Sequence, residues 1–312
     1  MTFIKELKRI SRRDIAMAGG KGASLGELTR VGMPVPSGFV ILSTAFEKFL
    51  EETDLNVEIN TALDSVNRKE IHTAEDASEK IQALILNSEI PRDISGEIKK
   101  SFKKLGAEYV AVRSSATAED SSMAAWAGQL ESYLNTTEKN LLENVKKCWA
   151  SLFTPMAIFY RFENNLRNMN ISVAVVVQKM IQSEISGVCF TAHPVTKSRD
   201  RMVIEAGYGL GEAIVGGIIT PDTYIIRKKD RAILDKNISR QEKMIIKGNN
   251  GSNEKQVLKS KQEKQKLPDT KILKLAEICK KIENYYKSPQ DIEWAFKNDN
   301  FYIIQSRPIT TL

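Results

Sequence analysis

Asp291-Ile-Glu293-Trp-Ala-Phe296, the polar trio Asn298-Asp299-Asn300 and Phe301-Tyr-Ile-Ile-Gln305-Ser-Arg307-Pro308 read as two strands joined by a turn. In each half polar residues alternate with apolar ones at the period of two of a strand. A three-residue loop, two helical residues and then Asn300 in the left-handed conformation, pairs Lys297 with Phe301. Counting back sets Glu293 opposite Gln305 and Asp291 opposite Arg307 on one face, with Ile292, Trp294, Phe296, Tyr302 and Ile304 on the other. A four-residue loop scatters these groups. Two carboxylates, an amide oxygen and a guanidinium on one surface suit a magnesium ion bridging phosphate oxygens, with arginine taking the remaining negative charge. Standing alone, the hairpin reads first as a surface ladder carrying an ordinary Asp/Arg pair.

The rest of the chain supplies the context. Its 312 residues, 42% hydrophobic and 27% charged, are enough for two domains or one bilobal unit with a substantial core. The longest uninterrupted apolar stretch, Val173 to Val177, is far too short for a membrane span. The basic start from Lys5 to Arg13 leads into no apolar signal core, so a cytoplasmic protein is expected. Cys148, Cys189 and Cys279 are far apart in apolar surroundings, which argues for buried thiols and against a disulfide framework or zinc site. The net charge of +7 resides between Lys243 and Lys287, where twelve lysines face five acids. These lysines fall in a polar loop around Asn249 and on a helix from about Asp269 to Tyr286, without interleaved arginines. That is the pattern of a solvated face and not of a nucleic-acid surface.

Alternating helix and strand patterns predict a mixed α/β chain. A glycine loop at Gly19 to Gly26 opens a helix, and a strand follows near Phe39 to Leu42. Helices are expected from about Thr44, Ala74 and Pro91, over Glu138 to Leu152 and over Pro155 to Asn164. Tyr109 to Arg113 reads as a strand entering a long polar loop. The run Val173 to Gln178 reads as a strand covered on both faces. Strand signals then predominate, at Gly187 to Thr191, Met202 to Ala206 and Thr223 to Arg227. A lobe boundary is expected between residues 183 and 200, giving lobes 1–190 and 191–312.

Several motifs carry anion-binding chemistry. Gly19-Gly-Lys21-Gly-Ala-Ser-Leu-Gly26 sets a lysine among glycines at a helix start, where backbone N–H groups and the dipole favour anions. It is not a Walker A loop, and a capped turn with a solvated lysine explains it equally. Val110-Ala-Val-Arg113-Ser-Ser-Ala-Thr117-Ala-Glu119-Asp120 delivers an arginine into hydroxyls and leads to Trp126-Ala-Gly128-Gln129. Arginine grips phosphate with two donors and glycine lets backbone amides approach; a polar surface loop is the plain alternative. Gln178, ending an apolar run, suits the edge of an adenine or merely a packed strand end. Glu205-Ala-Gly207-Tyr-Gly209-Leu-Gly211 fails the dinucleotide spacing and reads as a structural glycine loop. His72 is expected in a polar stretch between helices at the surface, and His193 in a turn before Pro194.

In this order, GGKGASLGEL, VAVRSSATAED, WAGQ, CWASLF, VVVQKM, SGVCFTAHPVT, EAGYGLGEA, DIEWA and IIQSRPIT resemble the N-terminal ATP-grasp domain shared by phosphoenolpyruvate synthase (pyruvate, water dikinase), pyruvate phosphate dikinase and rifampicin phosphotransferase. The resemblance covers residues 10–312. It implies an α+β, bilobal ATP-grasp fold with a nucleotide cleft between the lobes, and ATP and Mg²⁺ as cofactors. It implies Lys21 and Arg113 on the phosphates and Gly128 and Ser132 in a phosphate-covering loop. Gln178 falls at the adenine, Glu293 and Gln305 at magnesium, and Arg307 at the transferred phosphate. Asp291 matches a further acidic position, orienting Arg307 or a second metal. Ser132 stands where threonine is common, Trp126 where phenylalanine is, and His193 where Asp or Asn is usual, which leaves the capping of that turn in question.

The resemblance further implies transfer of the β-phosphoryl of ATP to a histidine on a separate domain or chain, and then to pyruvate bound elsewhere. The γ-phosphate goes to water and AMP remains. No histidine here matches the acceptor motif, so only the ATP half-reaction is expected of this chain. A rifampicin phosphotransferase or pyruvate phosphate dikinase domain shares the same motifs, and a stand-alone ATP-binding regulatory module is the reading of another class.

Overall fold

The computed structural model describes residues 2–67, 69–117, 131–163, 172–248 and 251–310. The chain divides into two compact units, Met1–Glu27 with Ser37–Met180, and Leu28–Pro36 with Ile181–Leu312.

The first unit contains β1 (Ile4–Glu6), most of α1 (Ile15–Arg30), β2 (Gly38–Ile41), α2 (Ser43–Glu52), α3 (Leu55–Asp64), α4 (Ile71–Asn87), α5 (Arg92–Leu105), β3 (Val110–Ala116), β4 (Ser132–Thr136), α6 (Leu141–Ala150), α7 (Pro155–Glu163) and β5 (Val173–Lys179). Its strands form one antiparallel sheet in the order β1-β2-β5-β3-β4. Val173, Val175 and Val177 point to one face, where they join Phe39, Ile41, Val110 and Val112 in the helix-packed core. Ala174 and Val176 point the other way and are just as buried, which is why this strand carries no polar alternation before Gln178. Phe46 and Phe49 of α2 pack on Trp149 of α6 at ring separations of 5.5 and 5.0 Å, anchoring the helical layer.

Two expectations about this unit are corrected. Ser114 and Ser115 are not loop residues; β3 runs on to Ala116, and both hydroxyl residues are fully buried in it. The glycine-rich stretch is not an open loop either, since only Gly19 leaves the helical conformation and the chain is helical again through Arg30.

The second unit contains β6 (Ile185–Phe190), β7 (Arg201–Tyr208), α8 (Glu212–Val215), β8 (Asp222–Arg227), β9 (Ile233–Asn237), β10 (Lys243–Lys247), β11 (Ser252–Gln256), α9 (Asp269–Tyr286), β12 (Gln290–Lys297) and β13 (Asn300–Pro308). Six strands pair antiparallel in the order β13-β12-β6-β7-β8-β9, and β10 and β11 form a separate hairpin. Helix α9 covers one face of the large sheet. Its Ile272, Leu275, Ala276, Cys279 and Ile282 recur at helical spacing and are buried with Met202, Ile204, Tyr224, Ile226, Ile292 and Trp294. A division at residue 190 would detach β6 from the sheet it pairs with, so the observed boundary falls earlier, at Met180. All three cysteines are buried thiols.

The lysine-rich segment is a solvated loop only in part. Lys243 and Lys247 lie on the β10–β11 hairpin, and Lys236, Lys243 and Lys271 pair with Asp269, Glu254 and Asp299. Lys266 is entirely buried against an equally buried Asp222, Nζ to Oδ1 2.8 Å. Asp222 also accepts hydrogen bonds from the backbone N–H groups of Ser239 (3.0 Å) and Lys266 (2.8 Å) and from the Tyr224 hydroxyl (2.7 Å). Lys266 Nζ donates in addition to the Ser239 carbonyl. Among the described residues, no helix is long and apolar enough to cross a membrane.

Candidate functional site

Each unit brings part of the expected set together. In the first, the alternation of β3 puts Ala111, Arg113 and Ser115 on the sheet face opposite the helical core. Arg113 stands directly across from Ser132 on β4 and Val176 on β5, and Gln178 lies farther along β5, across from Ala111 and Gly38. Arg113, Ser132 and Gln178 therefore share one face. Arg113 is 7% exposed and Gln178 1%, so both polar heads are withheld from bulk water by their strands, whereas Ser132 is open.

Lys21 is brought to β3 by the break in α1. Gly19 has φ of 66°, and a Cβ there would lie 2.3 Å from the Ser115 hydroxyl oxygen and 2.4 Å from its carbonyl oxygen. The same hydroxyl donates to the Ala18 carbonyl (2.9 Å) and accepts the Gly22 N–H (3.2 Å), stitching the helix break to the strand. Lys21 follows in the first turn beyond the break, half-buried. Gly26 serves packing, since a Cβ would meet Ile10 Cβ at 2.6 Å. Gly19→Ala is expected to destabilise this unit by about 1–3 kcal/mol, the cost of a strained left-handed residue before the steric clash is added. Urea denaturation measures it, and a wild-type midpoint would show that the β3 contact is not tight. Gly128, with Trp126 and Gln129, lies outside the described residues.

In the second unit the β12–β13 register pairs Glu293 with Gln305 and Asp291 with Arg307, as expected, but not through the expected loop. Lys297 pairs with Asn300, so the loop has two residues, Asn298 and Asp299, both with positive φ (48° and 64°), which is the signature of a type I′ turn. Trp294 then faces Ile303, and an irregularity between Glu293 and Trp294 leaves Ile304 as the extra residue of a bulge. Near the turn the side-chain assignment changes accordingly. Phe301 and Ile303, not Tyr302 and Ile304, join Trp294 and Phe296 in the core. The ring centroid of Phe301 is 5.7 Å from that of Trp294 and 4.8 Å from that of Phe296.

Beyond the bulge the polar face is restored. Arg307 Nε and Nη2 both reach Asp291 Oδ2 at 2.8 Å, with Asp291 mostly shielded and Arg307 about half exposed. Asp291 therefore orients Arg307 directly. Gln305 is buried and Glu293 half-buried. The register also brings in a residue that the sequence reading passed over. Glu293 faces Val188 on β6, and Val188 faces Glu205 on β7, so Glu205 lies on the same face as Asp291 and Glu293. Its signal was a single acidic position in the apolar strand Met202-Val-Ile-Glu205-Ala, masked by the glycines that follow.

Burial raises the Glu205 carboxyl above its ordinary range, and the Asp291 charge adds to the effect. Burial likewise raises Asp291, against the Arg307 guanidinium, which pulls it down, while Glu293 pushes it up. An acid raised in the fold binds its proton more tightly there than in the unfolded chain. Its ionisation weakens the fold as pH rises from the ordinary carboxylate range through the raised value, and acidification through that window restores the loss. Glu205→Gln is therefore expected to be more stable than wild type at about pH 7.5, with the difference closing at about pH 4, where the native carboxyl is protonated. Paired denaturation midpoints at the two pH values test this; a pH-independent difference would place Glu205 in an ordinary environment.

The histidines take no part in either group. His72 is exposed in the first turn of α4 and not between helices. His193 caps its own turn, Nδ1 accepting the N–H groups of Val195 and Thr196 at 3.3 Å, so the imidazole does the work that an Asp or Asn side chain would do there.

Among the described residues no three His, Cys, Asp or Glu side chains converge into a closed metal cage. Glu293, Gln305 and Asp291 instead present their oxygen donors along one face of the β12–β13 hairpin.

Two antiparallel sheets, each with helices on a face, make this an α+β protein with an ATP-grasp-like fold. Residues 15–312 match the AMP/ATP-binding domain of pyruvate phosphate dikinase, and the chain belongs to that family. It is 43% identical over 320 residues to a probable phosphoenolpyruvate synthase of Methanocaldococcus jannaschii, covering 100% of this chain and 27% of that protein. A probable phosphoenolpyruvate synthase of Archaeoglobus fulgidus is 43% identical over 98% of this chain and 41% of its own length. The rifampicin phosphotransferase of Bacillus subtilis is 39% identical over 100% of this chain and 36% of its own length. The chain thus spans less than half the length of these relatives.

Proposed function

We propose that this chain is the ATP-binding, phosphoryl-donating domain of a phosphoenolpyruvate synthase-like dikinase. The observation that carries the reading is the β12–β13 register, which sets a carboxylate–amide pair beside an Asp–Arg pair on one face, in a chain of the AMP/ATP-binding family. Gln178 reads the adenine edge, and Lys21, Arg113 and the hydroxyl of Ser132 hold phosphate oxygens. Gly128 would let backbone amides approach the same oxygens. Glu293 and Gln305 would hold Mg²⁺, which when bound neutralises the phosphate charge, with Asp291 as an orienting or second-metal carboxylate. Arg307 takes the transferred group.

Phosphoryl transfer asks the protein mainly for positioning and for charge neutralisation, and that is what this set of residues offers. The β-phosphoryl would pass to a histidine of a separate domain or subunit, the γ-phosphate to water, and AMP would leave. Pyruvate would accept the phosphoryl group elsewhere. No base is needed in this chain if the histidine arrives neutral.

The experiment is incubation with Mg-ATP labelled at the β-phosphate, with and without candidate histidine domains. Label on the partner histidine together with AMP supports the reading, and ADP alone overturns it. Because relatives named as rifampicin phosphotransferases match the whole chain as well, the same experiment is run with rifampicin and with pyruvate as final acceptors. ATP binding without transfer to any histidine domain would leave the regulatory module as the function.

A further inference from the structure

Helix α1 is broken at Gly19, and a strand residue is built into the break. A continuous helix joins the C=O of one residue directly to the N–H four residues on. Across Gly19 that pair is Ala18 and Gly22, and the Ser115 hydroxyl of β3 stands between them, donating to the Ala18 carbonyl at 2.9 Å and accepting the Gly22 N–H at 3.2 Å. One side chain thus serves a carbonyl on one side of the break and an N–H group on the other, groups that helix ends leave open. It has room because Gly19 carries no side chain of its own; a Cβ there would fall 2.3 Å from the Ser115 hydroxyl oxygen, in the place from which a residue at the start of a helix caps its own first turn. Ser115 is 0% exposed, so bulk water does not compete for either bond.

The joint links two residues of the phosphate reading. Lys21 directly precedes Gly22, and Arg113 lies two residues before Ser115 on the same face of β3, about 7 Å along the strand. A lysine carries its charge on a flexible four-carbon stem, so the backbone at its root is the part that the fold can fix. Ser115 fixes that root to the strand that bears Arg113. All of these residues belong to the first unit.

We infer that Ser115 is a positioning residue for ATP: its hydroxyl, inserted into the ladder of α1, holds Lys21 in place relative to Arg113, so that the ammonium and the guanidinium close on the same phosphate group. The inference rests on the nucleotide reading of Lys21 and Arg113. Ser115 acts through Lys21 and not on the phosphate, because its one hydroxyl proton is committed to the Ala18 carbonyl.

The test is a double-variant cycle on the full chain, with Mg-ATP affinity read by calorimetry and the Gly22 amide read by hydrogen exchange. Ser115→Ala is expected to speed exchange at Gly22 about tenfold and to weaken Mg-ATP binding about tenfold, the scale of one lost hydrogen bond. In a Lys21→Met background, where affinity is already lowered, the same substitution should change affinity by about twofold or less, because the residue it acts through is gone. Equal weakening in both backgrounds would reduce Ser115 to a structural bond and overturn the role, as would an unchanged affinity or unchanged Gly22 exchange in Ser115→Ala. Should Ser115→Ala not fold, Ser115→Cys, close in shape but a weak hydrogen-bonding partner, carries the same comparison. Wild-type affinity in Lys21→Met would bring down the nucleotide reading of Lys21, and the positioning role with it, whereas faster exchange at Gly22 would still establish the joint.

Discussion

Arg307→Ala is expected to reduce phosphoryl transfer to an added histidine domain by about 10²–10³-fold, the loss that follows removal of one preorganised donor to developing oxygen charge. The fold should survive, because the Arg307 side chain is 47% exposed and its pair with Asp291 is open to solvent on that side. Because Asp291 is mostly shielded, the cost to stability lies above the ~1 kcal/mol or less of a fully exposed pair and below the ~3–5 kcal/mol of a buried one. Arg307→Lys separates two components of the effect. Lysine restores the charge but not the planar fork that sends Nε and Nη2 together to Asp291, so activity should return only in part. Single-turnover transfer of β-labelled phosphate and a denaturation midpoint measured on the same samples distinguish a catalytic defect from an unfolded protein. Full activity in Arg307→Ala would sink the assignment.

The second large effect concerns stability. Lys266→Met is expected to cost about 3–5 kcal/mol, because it leaves the Asp222 carboxylate buried without its counter-charge. Such a loss is a large fraction of the 5–15 kcal/mol typical of a folded domain. The surroundings of Asp222 soften the blow only slightly. Two backbone N–H groups and the Tyr224 hydroxyl still donate to the carboxylate, and burial together with that hydrogen bond pushes the Tyr224 hydroxyl far above its ordinary pKa. The double variant Asp222→Asn/Lys266→Met removes both charges and should recover much of the loss, a non-additivity expected of groups in contact. If Lys266→Met does not fold at all, the folded double variant makes the same point; equal instability of both would mean that packing, and not charge, decides.

The parts of the fold that sequence could deliver are those with a clear period or a strong stop. Helix α9 runs from Asp269 to Tyr286 as expected, with Pro268 before it and apolar positions that repeat at helical spacing. Strand β5 was legible because five consecutive apolar residues can be covered only from both sides. Helix α3 was missed, since Leu55–Asp64 has a weak start at Asp54 and polar residues on most of its surface. The edge strands β1, β9 and β11 are short and largely polar, so no clear alternation marks them. At the site, the register carried Glu293, Gln305, Asp291 and Arg307 to their observed neighbours. Glu205 could not be found this way, because its place on the face depends on two intervening strand pairings that local sequence does not encode.

The bulge at Ile304 also separates two jobs within one hairpin. A three-residue loop without a bulge and a two-residue loop with one deliver the same pairing at Glu293 and Asp291, and differ only in which tip residues turn inward. The hydrophobic core chooses between them by accepting Phe301 and Ile303. The tip therefore behaves like a vernier set by packing, while the end that carries Glu293 and Asp291 keeps its phase. A one-residue change of turn length at Asn298-Asp299 is matched by the gain or loss of the single bulge residue, which leaves the Glu293–Gln305 pair in alignment.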